Sequence, residues 1–319
     1  MKRFFLTTLL FSTILMKAES MVIDGVLDEP EWANAYSISE FYQTSPFNLQ
    51  KSQGETLVYI FSNEDGIYVG FINKQSNSSM LSKKTLRDEM TSLSDKNSFN
   101  IDFDGDGNKA YILVINLGDS LFDAIKIKTG DFKTDWDGDW IAKTKKHDGY
   151  WVSEFYLPWN LVLMNQPAGD KRTIKYSVLR YKAKEQIWVS STGSIASRPD
   201  YFEKLDSLEI ANYTKSKLNF FPYVSSNQNS ITKFEDNKIG AEIFYNSGTG
   251  RQLNATFNPD FGQAESDDVV INFSARETFY SEKRAFFNEN QSLFNINNYD
   301  RYTVMNTRRI GSAPRYECT

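Results

Sequence analysis

Two segments of the chain combine residue types that recognise ligands. In Trp136-Asp137-Gly138-Asp139-Trp140, two indoles flank a glycine that reads as loop rather than strand interior. An indole face covers the apolar C–H side of a pyranose, and neighbouring carboxylates or amides take its hydroxyls. Trp136 and Trp140 are therefore candidate carbohydrate-binding residues, with packing at a sheet edge as the competing role. Trp188, which follows the polar run Lys184-Glu185-Gln186, is a third candidate. Trp151 instead shares one face of a strand with Phe155 and reads as core.

The second segment is Asp102-Phe103-Asp104-Gly105-Asp106-Gly107-Asn108. Carboxylates at alternate positions can wrap oxygens around a hard cation, so Asp102, Asp104 and Asp106 are candidate ligands for Ca2+. The EF-hand pattern is incomplete, because its twelfth position falls on Leu113 inside a predicted strand. The alternative is an acidic hairpin turn, since Asp-Gly is a favoured turn pair.

Little else could do chemistry. His147 is the only histidine and lies in a Lys-Lys-His-Asp-Gly turn, which disfavours a Ser-His-Asp relay and excludes a His-rich zinc site. Glycoside hydrolysis needs two carboxylates about 5–10 Å apart. Among 41 acidic residues such a pair is certain somewhere, and so uninformative. No catalytic residue is assigned, and a binding protein is expected over an enzyme. A formal charge of −5 without any basic tract argues against nucleic acid as a partner.

Scaffold follows from pattern. Charged residues at 24% and hydrophobics at 40% exclude a disordered chain, and 319 residues favour two units over one. Between about residues 20 and 212 the sequence alternates short strands with tight turns. Leu57–Ser62 and Gly66–Asn73 flank Asn63-Glu64-Asp65-Gly66, a hairpin signal. Tyr111, Leu113, Ile115 and Leu117 share one strand face, and Leu121–Lys128 follows a Gly118-Asp119 turn. Tyr150–Tyr156, Ile174–Tyr181 and Ile187–Ser191 complete the set. No sustained 3.6-residue period appears among them, so an antiparallel β-sandwich is predicted.

From Lys217 the strands lengthen. Ile239, Ala241, Ile243 and Tyr245 oppose Gly240, Glu242, Phe244 and Asn246, and Leu253, Ala255 and Phe257 continue after the Ser247-Gly248-Thr249-Gly250 turn. Membrane β-strands show this dyad over ~9–11 residues with aromatic girdles, a role open to Phe220, Phe221, Tyr223, Phe244 and Tyr245. A second soluble antiparallel sheet fits the alternation equally well.

Val22-Ile23-Asp24-Gly25-Val26-Leu27-Asp28-Glu29-Pro30-Glu31-Trp32 resembles the opening phrase of the family-9 carbohydrate-binding modules. Looser likeness extends to Trp136–Trp140, Asp148–Trp151, Glu154 and Leu157-Pro158-Trp159. The resemblance implies a sugar-binding sandwich, often carrying structural calcium and often joined to xylan-degrading enzymes. It places Trp32 and Trp159 in structural phrases, hence in the core. Further on, Asn258–Glu265, Glu277–Phe287 and Arg308-Arg309-Ile310-Gly311 resemble phrases of an uncharacterised bacterial family. There, a family-9-like domain precedes a long region expected to form an outer-membrane barrel. That family runs several hundred residues further, so only the beginning of a barrel is expected here, and the chain is expected to be a fragment or truncated product.

The amino terminus reads as an export signal: Lys2 and Arg3, an apolar stretch from Phe4 to Met16, then Ala18. The single cysteine, Cys318, cannot form an internal disulfide. The organisation expected is therefore a signal peptide (1–18), a β-sandwich (19–212) and β-hairpins of an incomplete barrel-like region (213–319), in the periplasm or outer membrane of a Gram-negative bacterium. The function expected is binding of a poly- or oligosaccharide at the envelope, with the outer membrane as partner of a full-length form. A plug domain without sugar affinity and a hydrolase of O-glycosyl bonds are the alternatives. Sealing of both Trp136 and Trp140 inside the protein, with no other solvent-facing ring on the sandwich, would defeat the sugar reading.

Overall fold

The computed structural model describes residues 21–52, 55–128, 132–134, 136–165, 167, 169–213, 215–229, 234–247, 251–258, 297–298 and 302–303. The expected signal segment, Cys318 and nearly all of the three carboxy-terminal phrases lie outside them. A 3-10 turn at Pro30–Asn34 precedes β1 (Tyr36–Ile38), β2 (Tyr42–Ser45), β3 (Phe47–Lys51), β4 (Thr56–Ser62) and β5 (Gly66–Lys74). Next come β6 (Lys96–Asp102), β7 (Lys109–Asn116), β8 (Leu121–Ile127), β9 (Phe132–Lys133), β10 (Ile141–His147) and β11 (Tyr150–Pro158). Then β12 (Lys171–Lys182), β13 (Ile187–Ser190) and β14 (Asp206–Ala211) end the sandwich. The remaining strands are β15 (Lys217–Asn229), β16 (Phe234–Asn246), β17 (Gln252–Phe257), β18 (Asn297–Asn298) and β19 (Tyr302–Thr303).

All pairings are antiparallel, as alternation predicts. A five-stranded sheet runs β1-β4-β5-β11-β10, and a nine-stranded sheet runs β3-β2-β13-β12-β6-β7-β8-β9 with β14 also on β12. Local chemistry sets the turns. Asn63 Oδ1 accepts the N–H groups of Asp65 (2.9 Å) and Gly66 (3.2 Å), closing the β4–β5 hairpin. Asn116 Oδ1 does the same for Gly118 (2.7 Å) and Ser120 (3.2 Å) between β7 and β8.

Val58, Ile60, Val69, Phe71 and Phe155 of the smaller sheet meet Phe99, Ile101, Leu113, Ile115 and Val178 of the larger in one core. On the outer side of the larger sheet, Tyr201, Phe202 and Leu205 cover Ala110, Ile112, Val114, Phe122 and Ala124. Every residue of β6 is consequently buried. Polar groups also enter the sandwich. The Asn73 and Asn97 amides donate to each other (2.8 and 3.1 Å), and the Ser153 hydroxyl donates to Asn97 Oδ1 (2.8 Å), joining strands of both sheets.

The opening phrase lies over the outer face of the smaller sheet. Gly70 carries no Cβ, and Leu27 and Trp32 fill the space where one would stand, 2.6 Å and 3.1 Å from it. Beside it, Glu154 Oε2 accepts the N–H groups of Asp24 and Gly25, both at 3.1 Å. Gly25 holds φ +82°, a conformation L side chains rarely adopt. Trp32 and Trp159 are both buried, Trp159 donating its indole N–H to the Asn63 carbonyl at 2.7 Å.

β15, β16 and β17 form a separate open sheet, and the described residues contain no closed barrel. Its register places Leu218, Phe220, Pro222 and Val224 beside Tyr245, Ile243, Ala241 and Ile239, with Leu253, Ala255 and Phe257 next in line. This face is apolar and turned outward, Val224 and Phe257 each being 75% exposed. Asn219, Phe221, Tyr223, Glu242, Phe244 and Asn254 take the other face, which mixes polar and aromatic residues and leaves Phe221 52% exposed. Lys215–Asp65 (2.7 Å) and Lys217–Asp139 (2.9 Å) ion pairs link its approach to the sandwich. Among the described residues, no helix is long and apolar enough to cross a membrane.

Candidate functional site

The two tryptophans that open the sequence argument have different fates. Trp140 is 3% exposed, its ring parallel to Phe155 at 5.8 Å and its indole N–H donated to Asp123 Oδ2 at 2.7 Å. No face remains for a sugar, so Trp140 is a core residue and its assignment as a carbohydrate contact is corrected. Trp136 is half-buried, packed on Tyr111 at 4.8 Å and against Gly138. Arg87 makes this segment rigid: its Nη2 donates to Asp123 Oδ2 (2.6 Å) and the Gly138 carbonyl (2.9 Å), and pairs with Asp137 Oδ1 (2.5 Å). Asp123 is fully buried, and desolvation raises its carboxyl above the usual range despite the Trp140 and Arg87 contacts.

Trp188 on β13 is half-buried, with its ring 5.0 Å from that of Tyr181 on β12. It lies outside the sheet-to-sheet core, whereas Trp136 packs against that core. The two do not share a platform.

The acidic loop closes on itself. Asp102 is 1% exposed; its Oδ1 accepts the N–H groups of Asp104 (3.1 Å) and Gly105 (2.9 Å), and its Oδ2 that of Gly107 (2.7 Å). Asp104 Oδ1 accepts Asn165 N–H at 2.7 Å, and Asp106 accepts Asn108 N–H and its side-chain amide. Among the described residues, no three acidic, His or Cys side chains converge as metal ligands. In this arrangement Asp102, Asp104 and Asp106 serve the loop as turn formers, the role the sequence offered as the alternative to a calcium set. Desolvation raises the Asp102 carboxyl, partly opposed by its backbone N–H contacts.

A cleft unmarked by the sequence motifs lies at the β3-β2-β13 edge. Gln43, Gln50, Lys51, Ser52, Glu55 and Lys182 line it above Ile187 and Val189, enclosing about 180 Å³. It is assembled from below. Arg180, fully buried, donates from Nη1 to the Glu55 carbonyl and Thr56 Oγ1 (both 3.0 Å) and from Nη2 to the Lys74 carbonyl (3.1 Å) and Gln75 Oε1 (2.8 Å). Pinned there, Glu55 pairs with the Lys182 ammonium. Lys51 pairs with Glu40 at 2.6 Å across the outer hairpin. The wall thus offers amides, a hydroxyl, ammonium groups and a carboxylate around a small apolar floor. Its one sequence signal is the run Gln50-Lys51-Ser52 together with Gln43, polar residues without an aromatic partner to draw notice.

Glu154, whose carboxyl is raised far above its usual range, does not line this cleft. Burial pushes it up to about 8 beneath the opening phrase, where it is 0% exposed.

Residues 214–319 match the family described as a domain of unknown function, DUF5916. Among solved structures, a Bacteroides uniformis protein provisionally described as carbohydrate-binding aligns with a TM-score of 0.39 and 13% identity, over 54% of this chain and 86% of its own. No curated protein matches the chain.

Proposed function

We propose that the protein binds saccharide at the bacterial cell envelope, through the sandwich rather than through the strands that follow it. The observation that carries this reading is the cleft at Gln43, Gln50, Ser52, Glu55 and Lys182, whose amides, hydroxyl, carboxylate and ammonium include both donors and acceptors for sugar hydroxyls. The opening phrase at Val22–Trp32, with its likeness to family-9 modules, supports the same reading. At about 180 Å³ the cleft is smaller than the roughly 300–1,000 Å³ of a drug-sized site, which suits the end or a side residue of a glycan.

Titration of the full chain with neutral xylo-, cello- and manno-oligosaccharides tests it. At least one is expected to bind, and Gln43→Ala with Gln50→Ala removes two contacts of about 1 kcal/mol each, weakening binding roughly thirtyfold. A full set of neutral sugars without a titration, or a double variant that binds as well as the parent, refutes this site.

The envelope part of the reading rests on the outward apolar face of β15–β17. On β15 and β16 its apolar residues run over Leu218–Val224 and Ile239–Tyr245, a stripe shorter than the ~9–11 residues that cross a bilayer, so the face suits contact with a membrane surface rather than a span. The headgroup boundary of a lipid bilayer is the occupant this face suits, because the unpaired edges of an open sheet keep it out of the hydrocarbon. In a flotation assay the chain is expected to rise with phosphatidylethanolamine/phosphatidylglycerol vesicles, and Phe220→Asp with Val224→Asp to stay behind. Equal behaviour of the two proteins would end this part of the proposal.

A further inference from the structure

Lys96 on β6 is used by neither the cleft nor the core. It pairs in register with Tyr181 on β12, which pairs with Trp188 on β13, so the three side chains stand in a row across neighbouring strands on one face. Lys96 is 4% exposed, and its ammonium lies 3.9 Å from the centre of the Tyr181 ring and 5.6 Å from that of Trp188. Among the described residues, no carboxylate pairs with this ammonium and no oxygen hydrogen-bonds to it. Asp95, its neighbour in the chain, is engaged elsewhere: it accepts the N–H groups of Leu81 and Ala183, both at 2.8 Å, and the Gln75 amide at 3.1 Å. The Tyr181 hydroxyl donates to the Ser92 carbonyl at 3.3 Å, which fixes the ring under the cation.

A buried cation without a counter-ion is costly, and ring faces compensate only in part. Burial lowers this ammonium to about 8, with Asp95 opposing the shift. A ligand anion would supply the missing charge. Trp188, half-buried beside it, still presents indole surface of the kind that covers sugar C–H groups. One ligand class brings both complements.

We propose that Lys96, Tyr181 and Trp188 form a subsite for an acidic saccharide, a uronic-acid residue whose carboxylate meets the Lys96 ammonium while its ring lies against Trp188. The proposal rests on the saccharide reading above but uses a different surface. The carboxylate then pairs with a largely desolvated cation, where a charge-assisted contact is stronger than a neutral one.

The test compares oligogalacturonide with its methyl ester, which keeps the ring and removes the charge, on the full-length chain. The acid is expected to bind at least tenfold tighter than the ester. Lys96→Met is expected to erase that preference, and Trp188→Leu to weaken acid and ester together. Gln43→Ala with Gln50→Ala should leave the preference intact. Melting temperatures identify variants that fail to fold; if Lys96→Met is one, Lys96→Arg, which retains the charge, must keep the preference. Equal binding of acid and ester, or a preference that survives Lys96→Met, overturns the subsite. Neutral sugars bound in the cleft with no response to oligogalacturonide would sink this inference and leave the saccharide reading standing. Silence of both probes sinks both.

Discussion

Replacing Glu154 by Gln should alter how stability depends on pH. The carboxyl is fully enclosed; Oε2 accepts two backbone N–H groups at 3.1 Å, and Oε1 is buried with no partner. Desolvation is the chief cause that lifts it from 4.5 to about 8, with Glu29 and Asp24 adding to the rise and the Gly25 and Asp24 N–H groups opposing it. The folded protein thus binds a proton that the unfolded chain has released. Stability is full below about pH 4.5 and falls as pH rises towards 8. At 1.36 kcal/mol per unit, the ceiling on that loss is roughly 5 kcal/mol, and relaxation around the charge brings the expected figure to about 2–5 kcal/mol. Glutamine keeps an oxygen for the two N–H groups and cannot ionise. Urea unfolding of both proteins at pH 5, 7 and 9 should show near-equal stability at pH 5 and a growing advantage for Glu154→Gln above it. Other buried carboxyls, such as Asp123 and Asp102, titrate in both proteins and cancel in the comparison. A difference that stays constant from pH 5 to 9 would refute the argument.

Other expectations concern packing and the acidic loop. Trp140→Phe should cost about 2–3 kcal/mol in urea unfolding, because the Asp123 carboxylate loses a buried donor, yet leave saccharide titrations unchanged. Gly70→Ala forces a methyl group to within 2.6 Å of Leu27 and should destabilise by about 1–3 kcal/mol, measured in the same way. Millimolar calcium or a chelator should leave the melting temperature of the full chain unmoved, whereas Asp102→Ala lowers it in both media by removing three loop contacts. A calcium-dependent rise of several degrees would favour the cation reading.

The sandwich was legible because its central strands alternate in a way only a two-layer β structure satisfies. Leu57–Ser62, Gly66–Asn73 and Tyr150–Tyr156 fall within or on β4, β5 and β11, and their turns carry the asparagine and glycine that fix them. Trp151 is core as its face predicts. β1, β2 and β3 are among the strands the sequence did not mark, with β6, β10 and β14: the first three are short, polar and peripheral, and β3 is exposed throughout. That is why the cleft they build escaped notice. Trp140 misled because a Trp-Asp-Gly-Asp-Trp loop has the composition of an exposed one; what encloses it comes from Arg87 and Asp123, long-range partners that no local window contains. The acidic loop is ambiguous in sequence for a different reason. The alternation that suits a cation also suits a turn whose carboxylates accept its own N–H groups.

The amides that cross the sandwich do something its apolar residues cannot. Slipping one strand by a single residue turns the core side outward, and the hydrophobic effect forbids it. Slipping by two keeps every greasy side chain facing inward and is nearly invisible to that force. Asn73, Asn97 and Ser153 are marks on the ruler: only the native alignment lets them meet, and any two-residue error strands them unpaired in a dry interior.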